Sequence, residues 1–273
     1  MSAALTARVA RAGRVARLLD VSCTYGRRDK PFPEAHGAFT VALVRRGAFN
    51  YRAADTNRVH AMGVGWLLLG RPELGYECSH DHDGGDDCAS LILSREVVED
   101  VARATKGCRG TIFTAPVLPP VSRVSALLER MRSRSGADLD ETAYLVTEAV
   151  LAHAHQAPRG QTDPQANHRA CVAHAISAIE SSFDESRPVS LTTLAASAGL
   201  SPFHFLRVFR NLTGTTPHQY LIGARLRRAA RLLLDTKRPI TDIAYDVGFE
   251  DLSNFVRTFH RVIGCSPRAY RRS

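Results

Sequence analysis

The stretch LTTLAASAGLSPFHFLRVFRNLTGTTPHQYL, residues 191–221, is repeated farther along the chain as ITDIAYDVGFEDLSNFVRTFHRVIGCSPRAYR, residues 240–271. The first parts of the two copies align at an offset of 49 residues and the later parts at an offset of 50. A correspondence of this length indicates two copies of one supersecondary unit. The matching residues are Leu191 and Ile240, Thr192 and Thr241, Leu194 and Ile243, Ala195 and Ala244, Gly199 and Gly248, Phe205 and Phe255, Arg207 and Arg257, Phe209 and Phe259, Gly214 and Gly264, Pro217 and Pro267, and Tyr220 and Tyr270.

Each copy has the sequence features of a helix-turn-helix. Gly199 and Gly248 follow a short apolar helix and supply the positive φ that a tight reversal requires. In the first copy, Ser201 is suited to cap the next helix and Pro202 to occupy its first position, where no N–H is needed. In the second copy, Asp251 is suited to the capping role. The two copies therefore predict helix-turn-helix motifs over about 191–213 and 240–262.

The helix after each turn is predicted to have a buried face and an outward face. In each copy two phenylalanines stand four residues apart, which predicts the buried face. The opposite face combines basic and polar side chains with a few apolar ones. These outward residues are Phe203, His204, Leu206, Arg207 and Arg210 in the first copy, and Leu252, Ser253, Asn254, Arg257 and Arg261 in the second.

Positive charge is concentrated in the same part of the chain. The whole chain of 273 residues has a net charge of +9. Residues 168–273 hold 15 Lys and Arg against 8 Asp and Glu, a net +7, whereas residues 1–167 hold 21 against 19, a net +2. A basic region attached to a nearly neutral one indicates a polyanion partner. A pair of helical hairpins that only bind another protein would explain the repeat but not this localised charge.

Residues 217–236, PHQYLIGARLRRAARLLLDT, connect the two copies and predict one long helix, because their apolar residues recur near helical spacing. About eighteen residues at 1.5 Å each span roughly 27 Å. With the bodies of the motifs added, this length approaches the ~34 Å repeat of one duplex turn. The chain is therefore predicted to hold two recognition helices over successive major grooves of double-stranded DNA.

On these motifs, residues 167–272 resemble the DNA-binding domain of AraC/XylS-type bacterial transcription regulators. The resemblance implies sequence-specific DNA binding and an N-terminal cupin-like barrel that senses a small molecule or mediates dimerisation. Leu206 departs from the family, whose members often carry a polar base-reading side chain there; a leucine suits a thymine methyl instead. Arg207 and Arg257 suit either a guanine edge or a phosphate. With His204 added from the same outward face, the residues implied to contact DNA are Phe203, His204, Leu206, Arg207, Arg210, Leu252, Ser253, Asn254 and Arg257.

The N-terminal part is predicted to be rich in strands and to end in helices. Residues 1–20 predict an amphipathic helix, because their apolar residues recur at helical spacing. Residues 39–93 alternate apolar and polar positions between Gly and Pro turns, which is typical of a small barrel or sandwich. Residues 121–134 and 138–156 return to the helical period. We therefore predict an α+β two-domain protein, with a cupin-like β-barrel and helical hairpin at 1–157, a linker at 158–167 and an all-α DNA-binding domain at 168–273.

Residues 76–88, YECSHDHDGGDDC, combine cysteine, histidine and acidic residues at close spacing. On a strand, Cys78, His80 and His82 share one face, which suits Zn²⁺ or another divalent metal with Cys88 as the fourth ligand. A two-residue Gly-Gly turn would instead direct Cys88 away from the histidines. Three interpretations remain open: a solvated acidic hairpin, a metal site, and a redox switch formed by Cys78 and Cys88.

A metal-dependent cupin-type enzyme or sensor with this site as its centre is the alternative to a regulator. Nothing else in residues 1–167 supplies a nucleophile and base, so we expect no enzyme. Six scattered cysteines and the absence of an apolar run of eighteen residues indicate a cytoplasmic protein without a membrane span. We expect a homodimer formed by the helices of residues 121–156, an unknown small-molecule effector, and RNA polymerase as a partner if the protein is an activator.

Overall fold

The structure of the protein is a computed structural model. A sheet-rich N-terminal part is followed by helices and then by an all-helical C-terminal part, which confirms the predicted order of the two regions. Within the described ranges, no helix combines the length and the apolar character that crossing a membrane requires. The structure describes residues 4–55, 59–81, 83–105, 113, 115–132, 138–154, 166–185, 190–213 and 215–272.

The strands form two antiparallel sheets. The strands of the described residues are β1 (Leu5–Ala12), β2 (Ala16–Cys23), β3 (Phe32–Ala35), β4 (Phe39–Gly47), β5 (Phe49–Ala53), β6 (Val59–Met62), β7 (Leu67–Gly70), β8 (Gly75–Ser79), β9 (Asp86–Leu93) and β10 (Val117–Leu118). One sheet has the order β1-β2-β9-β4-β7-β10 and the other β3-β8-β5-β6. These strands do not close into one barrel, so the predicted cupin-like barrel is not confirmed.

The six-stranded sheet is covered on both faces. Val44 of β4 packs with Tyr51 of β5 and Met62 of β6 in the core between the sheets. Val41 and Leu43, which alternate with Val44 along β4, pack in a second core on the opposite face. A strand buried on both faces has an almost continuous apolar sequence, and this explains why β4 contains a run of consecutive apolar residues.

The N-terminal residues form strands, and the helix predicted over residues 1–20 is wrong. β1 pairs with β2, and β2 also pairs with β9. Ala16 and Leu18 of β2 are buried two residues apart, whereas Val9, part of the expected helical stripe, is 52% exposed. The backbone of β2 fills the place beside β9, and this tertiary pairing outweighs the local spacing of apolar residues.

The described helices of the N-terminal part are α1 (Arg95–Ala104), α2 (Ser122–Arg132) and α3 (Leu139–Ala154), and β10 lies between α1 and α2. α2 and α3 confirm the two predicted helices, whereas α1 was not foreseen. The apolar stripes of α2 and α3 are buried against the sheet and one another. They include Val124, Leu128, Val146 and Val150, each with no exposed surface. The chain itself therefore covers the stripes that suggested a dimer interface, and that reason for a dimer is wrong.

The C-terminal domain contains the predicted helices. Its described helices are α4 (Ala166–Glu185), α5 (Leu191–Ser197), α6 (Pro202–Thr213), α7 (Pro217–Asp235), α8 (Ile240–Asp246), α9 (Leu252–Ile263) and α10 (Pro267–Arg272). The pairs α5–α6 and α8–α9 confirm the two helix-turn-helix motifs, and α7 confirms the long connecting helix. Most of the linker predicted at 158–167 lies outside the described residues, and α4 begins at Ala166.

α7 belongs to two apolar cores. Near its beginning, Tyr220 and Ala224 pack with α4, α5 and α6. Farther along, Leu226, Ala230 and Leu233 pack with α8, α9 and α10. The two helix-turn-helix motifs are therefore fixed to opposite ends of one helix.

The stretch of residues 76–88 crosses between the sheets, and the solvated hairpin suggested for it is wrong. β8 pairs with β3 and β5, whereas β9 pairs with β2 and β4. Cys78 and Cys88 lie in the apolar core between the sheets. The strands that carry them are therefore held in two different sheets rather than paired with each other at the surface. At the crossing, Gly85 has a φ of +60°, and an added Cβ would lie 2.2 Å from the carbonyl oxygen of Cys23. Both the backbone conformation and the contact therefore require glycine.

Replacing Gly85 with alanine should lower the free energy of unfolding by about 1–3 kcal/mol, the range for a strained backbone conformation. The matched control is Gly37→Ala, because Gly37 has no positive φ and nothing within 4 Å of an added Cβ. The control should change stability by less than about 0.5 kcal/mol. Urea unfolding followed by circular dichroism measures both, and equal stabilities would contradict the close crossing at Gly85.

Candidate nucleic-acid interface

The first helix-turn-helix has the predicted turn and cap. Gly199, between α5 and α6, has a φ of +65°. Ser201 accepts a hydrogen bond from the backbone N–H of His204 at 3.3 Å, and Pro202 is the first residue of α6. The junction is thus fixed by local chemistry that the sequence specifies, which sets the direction in which α6 leaves the turn.

The second motif repeats this arrangement with different side chains. Gly248, between α8 and α9, has a φ of +90°. The carboxylate of Asp251 accepts a hydrogen bond from the backbone N–H of Asn254 at 2.6 Å and caps α9. Gly264 follows the last residue of α9, and its φ of +95° gives the left-handed conformation common after helices.

α6 and α9 each present an outward face that the protein does not cover. Their paired phenylalanines are fully buried, as predicted. On the opposite side, Phe203 is 76% exposed, an unusual position for a large aromatic side chain. Of the residues implied to contact DNA, Phe203, Arg207, Arg210, Ser253, Asn254 and Arg257 are exposed, and His204, Leu206 and Leu252 are half-buried.

The outward faces carry available positive charge. Residues 191–220 contain no Asp or Glu, so the first motif has no carboxylate of its own. In the part of the chain that the structure describes, Arg207, Arg210 and Arg257 form no ion pair. Their guanidinium groups can therefore donate hydrogen bonds to an external phosphate or base edge without first breaking an internal pair.

The internal repeat identifies further outward residues that the sequence reasoning missed. At the offset of 50, Leu206 corresponds to Val256 and Arg210 corresponds to His260. Val256 is 37% exposed, and His260 is also exposed. The signal was present in the sequence, because equivalent positions of two equivalent helices occupy the same face. The second motif therefore offers an aliphatic side chain beside Arg257, as the first offers Leu206 beside Arg207.

Two equivalent tyrosines connect the C-terminal domain to the N-terminal part. The hydroxyl of Tyr220 donates to the carbonyl oxygen of Val64 at 2.5 Å, and that of Tyr270 donates to the carbonyl oxygen of Ala126 at 2.7 Å. Both tyrosines are buried, and burial raises the pKa of each phenol above its usual range. Val64 precedes β7 and Ala126 lies in α2, so the helices that follow the two motifs, α7 and α10, each donate a hydrogen bond to a different element of the N-terminal part.

A buried ion pair lies beside the Tyr220 contact. Arg227 of α7 pairs with Glu180 of α4 at 2.7 Å, and 8% of the Arg227 side chain is exposed. Its guanidinium also lies 5.3 Å from the centroid of the Tyr220 ring. Gly65 has a φ of +86° and packs against this guanidinium, where an added Cβ would lie 2.7 Å from the Cζ atom of Arg227. Loss of Glu180 would leave a buried positive charge without its partner.

The cysteine and histidine residues of the 76–88 stretch lie away from this interface. Cys78, His80 and Cys88 are buried in the N-terminal part, and His82 lies outside the described residues. Cys78 and Cys88 are free thiols. His80 contacts Asp86 and also Cys23, which the sequence reasoning did not foresee because it comes from β2. Burial raises the pKa of the Cys23 thiol to about 11.

Residues 194–273 match the sequence profile of a helix-turn-helix domain. The right origin-binding protein of Escherichia coli (strain K12) is 39% identical over 87 residues, which cover 32% of this chain and 30% of that protein. The regulatory protein SoxS of the same strain is 33% identical over 105 residues, which cover 38% of this chain and 96% of SoxS. A solved structure of the DNA-binding domain of the global transcriptional factor AdpA, in complex with a target DNA, is also similar. Its sequence identity with this chain is 34%, and the TM-score is 0.33. The match covers 37% of this chain and 88% of that chain.

The extent of these matches differs between the relatives. The chain spans less than a third of the right origin-binding protein but nearly all of SoxS. The relatives are named as regulators or for binding an origin, and not as enzymes. This agrees with the expectation that the chain is not an enzyme.

Tyr220→Phe and Tyr270→Phe should each lower the free energy of unfolding by about 0.5–1.5 kcal/mol, because each leaves a carbonyl of the N-terminal part without its donor. Tyr245→Phe is the control, because Tyr245 is 53% exposed and should leave stability unchanged. The chain has one tryptophan, Trp66, close to the Val64 contact, so urea unfolding can be followed by its fluorescence. Unchanged stability in both test variants would contradict the proposed domain contacts.

Proposed function

The chain belongs to the AraC/XylS family of regulators, and on this basis we propose that it is a sequence-specific DNA-binding transcriptional regulator. The observation that carries the proposal is the pair of exposed outward faces on α6 and α9, each with an arginine at the same repeat position that forms no ion pair with the described residues. These are Arg207 and Arg257. The net charge of +7 in residues 168–273 supports the same function, because a duplex attracts such a domain before any base is read.

The outward faces suggest how bases are read. Arg207 and Arg257 suit a guanine edge or a phosphate. Each arginine follows an aliphatic residue, Leu206 in the first motif and Val256 in the second, and such a side chain suits the methyl group of thymine. We therefore expect the two half-elements to share a preference for thymine beside the position that the arginine contacts.

The length of α7 supports the reading of two successive grooves by one chain. Its 19 residues span about 28 Å at 1.5 Å per residue. Because the two motifs pack on opposite ends of α7, this helix sets the separation of their recognition helices. A separation near one duplex turn, about 34 Å, allows both helices to enter the major groove on the same face of DNA.

The sheet-rich N-terminal part is proposed to be a cupin-like effector domain. Its contacts with Tyr220 and Tyr270 would carry a ligand-dependent change to both motifs, because these tyrosines pack against Phe209 and Phe259. A homodimer belongs to the proposal, but it needs a surface other than the buried stripes of α2 and α3. β1 offers one, since it is the edge strand of its sheet and Leu5 and Val9 are exposed. If the protein activates transcription, RNA polymerase is its further partner in the cytoplasm.

DNA binding by the full chain should weaken steeply with increasing salt, because arginine–phosphate contacts release counterions from the duplex. A duplex selected by the protein from a random library serves as the ligand, and fluorescence anisotropy measures its affinity between low and physiological salt. The slope of log K against log salt should be about −0.9 for each phosphate contacted. Affinity that is independent of salt, or failure to select any duplex, would contradict the proposed function.

Arg207→Ala and Arg257→Ala should each weaken binding to the selected duplex by about 1–3 kcal/mol, the value of a good base-edge contact. Arg28→Ala is the matched control, because Arg28 is an exposed arginine of the N-terminal part that lies outside the strands. Lysine at either position then distinguishes a contact with a phosphate from a contact with a guanine edge. Lysine keeps the positive charge, but it cannot donate the two parallel hydrogen bonds of a guanidinium group. Wild-type affinity in both alanine variants would show that the recognition faces are assigned incorrectly.

A further inference from the structure

We propose that Cys23, His80 and Asp86 bind a divalent transition metal, with Zn²⁺ as the best match, in the core between the two sheets. One potential ligand atom of each residue lies within 4.8 Å of those of the other two, and all three residues are buried. Among the described residues, no other group of three His, Cys or acidic residues brings its potential ligand atoms this close together. It differs from the set expected on sequence grounds, because Cys23 and Asp86 replace Cys78 and His82.

The three residues come from both sheets. Cys23 and Asp86 face each other as paired residues of β2 and β9 in the six-stranded sheet. His80 follows β8 of the four-stranded sheet. The close crossing at Gly85, whose backbone lies against the carbonyl of Cys23, brings these elements together. A metal held by all three side chains would therefore join the two sheets at one end of their shared core.

The distances fit Zn²⁺ with a small adjustment. Zn–N bonds of about 2.0–2.1 Å and a Zn–S bond of about 2.3 Å at tetrahedral angles place nitrogen and sulfur about 3.6 Å apart. The Nε2 atom of His80 lies 3.7 Å from the Sγ atom of Cys23. The same nitrogen lies 2.8 Å from the Oδ2 atom of Asp86, whereas two Zn²⁺ ligands of this kind are separated by about 3.4 Å. Metal binding would therefore replace this hydrogen bond and shift the carboxylate by less than about 1 Å.

The charges of the three residues also match a divalent cation. A Cys23 thiolate and an Asp86 carboxylate carry two negative charges, and a neutral His80 adds none. Burying them together with Zn²⁺ leaves no net charge in the apolar core, which removes the main cost of burying ionised groups. The Sγ atom of Cys88 lies 3.6 Å from the Oδ1 atom of Asp86 but outside the converging group, so the three residues would leave the fourth position of a tetrahedral metal open.

Titration of the full-length protein with Co²⁺ after treatment with a chelator tests the proposal. We expect one equivalent of Co²⁺ to bind, with a thiolate-to-cobalt charge-transfer band in the near ultraviolet and the visible absorption of tetrahedral cobalt. Zn²⁺ should displace it and raise the Tm of the metal-free protein by several degrees. A wild-type protein that gives no thiolate band would overturn the proposal and leave a hydrogen-bonded His80–Asp86 pair, and this result does not depend on the folding of any variant.

Cys23→Ser and Asp86→Asn should each weaken Co²⁺ binding at least tenfold. Cys78→Ser is the matched control, because Cys78 is a buried thiol of the same core that lies outside the converging group. Circular dichroism establishes that each variant is folded before its titration is compared. Loss of the thiolate band in Cys78→Ser with retention in Cys23→Ser would overturn the assignment in favour of the ligands expected from the sequence.

Discussion

The packing of α7 in two separate apolar cores is the constraint on which the rest of the C-terminal domain depends. Each helix-turn-helix motif is too small to bury its own phenylalanines, and residues of α7 pack against the phenylalanines of both motifs. Ala224 and Ala230 allow close approach of the neighbouring helices, while Leu226 and Leu233 fill the second core. The recognition helices are therefore placed by hydrophobic burial along one rigid element rather than by a flexible connection.

The same helix is the main point of contact between the two parts of the protein. α7 carries Tyr220 and Arg227, and both lie against the turn at Val64 and Gly65. The charge of Arg227 is retained in this buried position because Glu180 accompanies it. An altered turn in the N-terminal part would therefore act on the helix that sets the spacing of the recognition faces, and would do so without an intervening linker.

The sequence predicted the C-terminal domain well because its information is local. The signals act over a few residues: caps such as Ser201 and Asp251, the turn glycines and the spacing of the phenylalanines. Because the unit is repeated, each of these signals occurs in two copies of the motif. The sheets depend on partners far apart in the chain. Residues 1–20 have helical spacing, but Leu5–Ala12 and Ala16–Cys23 form the paired strands β1 and β2. The contact between Cys23 and His80 joins residues 57 positions apart. The pair Gly84-Gly85 has the composition of a hairpin turn, and only the pairing of β8 and β9 with other strands reveals a crossing.

The single connecting helix also determines which changes in the chain are tolerated over evolution. Each residue of an α-helix advances the chain by 1.5 Å and turns it by about 100°. A substitution on the exposed side of α7 leaves both motifs in place, whereas one inserted or deleted residue would rotate one recognition face by about 100° relative to the other. We therefore expect the length of α7 to tolerate change less than its exposed residues do, and the half-elements of an operator to vary in sequence more readily than in helical phase.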